Sequence, residues 1–333
     1  MSGQTERIAL DIHAHLAPVF PDDLHTVEGV TWDAAAKVLT VDGHPVGMKP
    51  LFDPAALVQW MDRNNIAQAL ISIPPPLYRA HLQGTAARAW NDYANRGLQR
   101  IADDDPERLL PLPHLPLQAP EIAADIARDW IGRGHRRFGA PAGGHGEQVL
   151  SDPAYERLWQ ILDKAGAFVF FHPGECADGR LSAFYLSNLL GNPYETAVAI
   201  GHLAFGGVFE RYPRITFGFA HGGGVAAMLA GRFERGFATA RPGIDTKAQL
   251  PRHVLRNVCV DCIVHDDNAL TLAEQVFGAE NILFGSDWPF PMGLIEPHDQ
   301  LATLTPERRK RVFCDNPDRL LSGTREPNKE RSR

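Results

Sequence analysis

The chain has 333 residues, a formal net charge of -7, and hydrophobic side chains at 44% of positions. That length suits one large α/β barrel or two ordinary domains, and the acidic balance argues against a nucleic-acid partner. It leaves an anionic small-molecule substrate open, because local arginines can outweigh a global sign. The N-terminal MSGQTERIAL lacks a signal peptide's apolar run, and no segment nears the roughly 18 apolar residues of a membrane span. Four cysteines suit a reducing cytoplasm better than a disulfide scaffold.

In chain order, eight short apolar runs read as strands: 7–15, 67–74, 108–117, 135–143, 167–174, 215–223, 257–265 and 281–289. Near-continuous apolar runs fit parallel strands covered on both faces. The first, RIALDIHAH, carries His13 and His15 on one face, about 7 Å apart along the strand. They make a start to a divalent metal site, or else a turn cap and a surface residue.

Helix starts follow the same pattern between strands. Asp53 before Pro54, Asp152 before Pro153 and Thr305 before Pro306 place a capping oxygen ahead of a proline at the first helical position, and Gly166 supplies a stop. Leu158, Ile161 and Leu162 form one apolar helix face. Strands alternating with helices predict a (β/α)8 TIM barrel over 1–322, with 323–333 as a disordered tail.

Two segments exceed the bare repeat. Residues 25–50 read as a small hairpin insert after strand 1, turning at Asp42–Gly43, and 174–196 form a long connection after the fifth strand. Both are lid candidates at the strand-end face. CVDC at 259–262 reads as buried thiols, with redox chemistry or structural zinc as alternatives.

Polar residues gather at the C-terminal strand ends: His13 and His15, His172 in FFHPG, His221 in FAHGGG and Asp287 in FGSDWP. Barrel strand ends share one mouth, so these distant positions are expected to meet and supply the N and O ligands that zinc or another borderline divalent ion takes. The glycines after His221 read as room for close packing rather than a phosphate loop, and no organic cofactor is expected.

DIHAH, FHP, AHGGG and GSDWPFPMG, together with ADGRLSAFYLSNLLGNPYETAVAI and GGVFERYPRITFGFAHGGG, resemble the amidohydrolase superfamily. Within it they are similar to the 2-amino-3-carboxymuconate-6-semialdehyde decarboxylase-like family, over roughly residues 8–322. The resemblance implies His13, His15, His172 and Asp287 as ligands of one divalent metal, with zinc expected and manganese as the alternative. It implies His221 as the acid/base, assisted by Asp287, and a homodimer in which Arg232 reaches the neighbouring site; a plain surface cation is the other reading of Arg232. Strand four, RRFGAPAGG, lacks the lysine that bridges two metals in binuclear members, so a mononuclear site is implied.

One departure concerns the substrate. Where the family carries a substrate-binding arginine, GMKPLFDP offers Met48 or Lys49, and Lys49 brings only a point charge. Trp288, Phe290, Phe184 and Tyr185 are candidates to stack on a flat substrate, and Arg180, Arg235 and Arg241 join Lys49 and Arg232 as carboxylate partners. His114 points either into the mouth or into the helix layer, and His265 is catalytic or structural. His25, His44, His81, His135, His145, His202, His253 and His298 read as surface or loop residues.

The function expected is metal-dependent nonoxidative decarboxylation of an aromatic or ring-cleavage acid in cytoplasmic aromatic catabolism. Hydrolysis of an amide, lactone or carbon–carbon bond by metal-activated water is the runner-up, and a non-catalytic metal binder comes third.

Overall fold

The computed structural model describes residues 6–143, 149–174 and 176–322. The expected tail at 323–333 and His145 lie outside the described residues. Within them run β1 (Ile8–His15), β2 (Val30–Asp33), β3 (Val38–Val41), β4 (His44–Val46), β5 (Ile66–Ser72), β6 (Leu109–Pro111), β7 (Arg137–Pro141), β8 (Phe168–His172), β9 (Thr216–Phe219), β10 (Val258–Asp261) and β11 (Ile282–Leu283). Each of the eight apolar runs yields one parallel strand.

These strands pair in two arcs, β1-β5-β6 and β7 through β11. Backbone contacts close both seams. His114 bridges Gly139, Ala14 bridges Trp288, and the Asp287 amide donates to the His13 carbonyl at 2.7 Å. The ring is the expected (β/α)8 barrel.

Strand alternation separates two apolar layers. In β8, Phe168 and Phe170 point into the barrel, while Val169 and Phe171 face the surrounding helices. In β10, Cys259 points inward and Val258 and Val260 outward. Leu10, Ile12, Leu70, Leu112 and Leu283 complete the inner plug. Each fully buried side chain of this size contributes about 1.5–3 kcal/mol, so the barrel below the strand ends is a packed floor.

The helix signals behave as expected. The Asp53 carboxylate accepts from the Ala56 amide, and the Thr305 hydroxyl accepts from the Arg308 amide. Asp152 caps a 3-10 turn at Pro153–Tyr155 that leads into the helix Glu156–Ala165, which Gly166 ends at φ 61°. Among the described residues no helix is long and apolar enough to cross a membrane.

The insert differs from the expected hairpin by one strand. β2, β3 and β4 form an antiparallel three-stranded sheet, with Asp42 (φ 50°) and Gly43 (φ 82°) at the β3–β4 turn. The extra strand lets Val30, Leu39, Val41 and Val46 bury one apolar face together, which a lone hairpin could not do.

Candidate metal and acid–base centre

β1 ends with His13 and His15 fully buried, β8 ends with His172, and the turn after β11 carries Asp287. One ligand-type atom from each of the four lies within 4.8 Å of all the others. The Nε2 atoms of His13 and His15 are 3.1 Å apart, and each is 3.2 Å from Asp287 Oδ1. Two ligands on a tetrahedral ion with bonds of about 2.0 Å stand about 3.3 Å apart, so the spacing of these three atoms fits.

The opposite ring nitrogens are all engaged. His13 Nδ1 donates to Asp261 Oδ2 at 2.8 Å, and His172 Nδ1 donates to the Pro173 carbonyl at 2.9 Å. His15 Nδ1 lies 3.1 Å from Ser72 Oγ, whose hydroxyl donates to the Ala14 carbonyl. With Nδ1 engaged in this way, the Nε2 of each ring is turned to the common centre, the arrangement that prepares an imidazole for a metal.

Electrostatics set His13 apart from the other two rings. Burial, helped by the surrounding histidines, keeps His172 well below its ordinary range, and burial lowers His15 as well. Burial also opposes protonation of His13, but Asp287 and then Asp261 overcome it and move His13 up to about 10. Asp287 resists the upward push of burial because His13, His15 and His221 surround it, and its carboxyl stays well below the usual range. Its Oδ1 is buried without a hydrogen-bond donor among the described residues. Three histidine rings gathered around one buried carboxylate form a donor set that fits one divalent ion.

His221 stands beside this group. Its Nε2 is 3.5 Å from Asp287 Oδ2, and its side chain is 19% exposed where those of His13 and His15 are sealed. The residue sits at φ 53°, and the glycine run after it is required sterically. A Cβ on Gly222 would lie 2.2 Å from Val264 Cγ1, and one on Gly224 would lie 2.3 Å from the Pro193 carbonyl oxygen. Asp287 itself has φ 57°, so both groups are held in backbone conformations that the surrounding packing must enforce.

Asp261, which the sequence reading passed over inside CVDC, ties these parts together. Its Oδ2 accepts from His13 Nδ1 and from the His221 amide at 2.9 Å, and its Oδ1 accepts from the Gly222 and Ile263 amides. The flanking Cys259 and Cys262 are buried thiols that form no disulfide. The missed signal was alternation: two residues beyond inward Cys259, position 261 also faces inward, where an unpaired carboxylate is costly. Gly285 makes room for the pair, because a Cβ there would lie 2.8 Å from that of Asp261 and 2.9 Å from that of His13.

A cavity of about 1380 Å³ opens above the group, with His172, His221 and Asp287 in its wall. Both lid candidates contribute, through Val41, Asp42, His44, Val46 and Met48 on one side and Cys176, Tyr185, Ser187 and Asn188 on the other. Phe290 lines it and meets the His15 ring edge-on at 5.4 Å. Trp288 is instead buried against Trp60, and Phe184 is 88% exposed. Lys49 and Arg232 are exposed and stand apart from the wall of this cavity, as does Arg180, which pairs with Asp178. His114 is buried and stacked on Tyr78, one layer behind the wall. His44 and His81, expected as surface or loop residues, line the cavity because the insert folds its β3–β4 turn over the mouth.

The amidohydrolase family profile matches residues 10–323. A 2-amino-3-carboxymuconate-6-semialdehyde decarboxylase from Dictyostelium discoideum is 32% identical over 260 residues, covering 76% of this chain and 71% of that protein. A gamma-resorcylate decarboxylase from Rhodococcus jostii (strain RHA1) is 24% identical, covering 85% and 88%. A solved structure of a dihydroxybenzoic acid decarboxylase from Polaromonas sp. JS666, with bound manganese and the inhibitor 2-nitroresorcinol, superposes with a TM-score of 0.75. It is 19% identical, with coverage of 96% and 98%.

Proposed function

Because the chain belongs to the amidohydrolase family, we propose that it is a metal-dependent nonoxidative decarboxylase of an aromatic or ring-cleavage carboxylic acid. The observation that carries this reading is the convergence of three histidine ring nitrogens, one carboxylate and a separate imidazole at the foot of a large cavity. The decarboxylase names of the sequence relatives favour this reaction over hydrolysis at the same centre.

His13, His15, His172 and Asp287 would hold one divalent ion. When bound, it supplies a Lewis acid that orients the substrate's oxygens and stabilises negative charge. Zinc suits the N and O donors, and the manganese in the Polaromonas structure makes manganese the second metal to test. His221 reaches the cavity and, as acid, delivers a proton to the carbon that carries the carboxylate. The carbon–carbon bond then breaks, its electron pair returns to the unsaturated framework, and CO2 leaves. Asp287 Oδ2 orients the His221 ring, while Asp261 fixes its backbone. Phe290 offers a flat face to the substrate, Trp288 backs it from the core, and Lys49 attracts anions toward the mouth.

The protein works as a homodimer in the cytoplasm in this reading, with Arg232 lending its charge to the neighbouring site. Exposed Met228 lies on the same helix (Ala226–Ala238) as Arg232, and Leu189, Leu190 and Tyr194 are exposed on the adjoining segment. Such an apolar surface is suited to a second copy.

The test is reconstitution of metal-free protein with zinc or manganese, followed by direct detection of CO2 from a panel of hydroxybenzoic and muconate-type acids. Metal-dependent CO2 release supports the reading. Consumption of substrate with water incorporated and no CO2 would transfer the protein to the hydrolases.

A further inference from the structure

The arginine that the resemblance places near position 48 is absent here, yet the cavity wall holds another. Arg79, in the turn after β5, is the one arginine or lysine among the described residues lining the cavity. Its side chain is only 4% exposed. The preceding residue, Tyr78, has its ring 6.4 Å from that of His172, so Arg79 follows directly on a residue beside the metal group.

One edge of the guanidinium is committed. Nε donates to Asp42 Oδ2 at 2.8 Å, and Nη2 donates to Asp42 Oδ1 and to the Glu28 carbonyl. Trp90 packs against the plane, with its ring centroid 5.0 Å from Cζ. Gly29 closes over the pair: a Cβ there would lie 2.6 Å from Asp42 Oδ1 and 2.7 Å from Arg79 Nη2. Nη1 makes no hydrogen bond among the described residues, although every other donor of the group is engaged.

We propose that Arg79 is the residue that recognises a second anionic group on the substrate, presented by Asp42 of the insert with Nη1 directed to the ligand. The occupant is an organic diacid, with one carboxylate at the metal group and the other on Arg79. The side-on pair with Asp42 fixes the plane without consuming Nη1, so ligand binding costs little side-chain ordering. His44 and His81 line the same wall, and His81 Nε2 stands 3.6 Å from Asp42 Oδ2. The choice of diacid rests on the decarboxylase reading, but binding can be measured without turnover.

The experiment is calorimetric titration of the metal-loaded protein with isophthalate and with 3-carbamoylbenzoate, which replaces one carboxylate by a neutral amide of the same shape. Wild type is expected to prefer the diacid by about tenfold or more, the value of a charge-assisted contact. Arg79→Gln should bring the two ligands within twofold of each other, and Arg79→Lys should keep part of the preference. A merely structural role would weaken both ligands alike and leave their ratio unchanged. Metal content and melting temperature are read on the same samples. A wild type that does not prefer the diacid overturns the proposal, as does an Arg79→Gln protein that keeps the full preference while Lys49→Gln loses it. Neither result bears on CO2 release, which tests the reaction separately.

Discussion

The floor and the mouth of this barrel are built on different principles. At the floor, His13, His15 and Asp261 are fully buried, and His13 and His15 are each tied through Nδ1 to a side chain on another strand. At the mouth, Phe184, Tyr185, Leu189 and Leu190 stand exposed, and the insert is joined to the barrel through pairs such as Asp42–Arg79. A reactive centre needs groups held to a fraction of an ångström, which strand ends in a packed barrel provide. A binding surface needs variety, which insertions provide without disturbing the ring. The difference implies that floor substitutions should destroy metal binding or turnover, whereas mouth substitutions should retune substrate choice.

The largest expected effect is at Asp287. Asp287→Ala removes a donor and the counter-charge of three histidines at once, so metal content should fall to background and turnover with it. Atomic absorption on the purified variant measures this directly, and full occupancy would break the division between floor and mouth. Asp261→Asn should come next. Losing the carboxylate behind His13 should weaken metal affinity by about 10–100-fold. Because the same group holds the His221 amide, turnover at saturating metal should fall further; a variant rescued fully by added metal would confine Asp261 to His13 alone. The smallest effect is expected at the mouth, where Tyr185→Ala should shift KM several-fold with metal content unchanged. If it lowered metal content instead, the lid would belong to the centre.

The two regions also differ in how far they could be read from the sequence. That His13, His15, His172, His221 and Asp287 would lie together was legible because each closes an apolar strand run, and a barrel sends all strand ends to one mouth. The capping aspartates were legible because their chemistry is local. Asp261 lies inside an apolar run between two cysteines, where only strand alternation marks it as inward. Arg79, His44 and His81 were beyond reach for a different reason. They meet through the docking of a three-stranded insert on the loop after β5, a contact between segments that no periodicity encodes.

The division of labour between the metal group and His221 is open to one direct measurement: turnover of an accepted acid in D2O, with product deuterium, CO2 and protein-bound metal recorded for wild type and His221→Ala. Wild type should release CO2 and place one deuteron on the carbon that lost it. His221→Ala should keep its metal and lose about 10²–10⁴-fold in rate. A His221→Ala protein that has shed its metal would make His221 a ligand, and one that turns over at the wild-type rate would remove it from the chemistry.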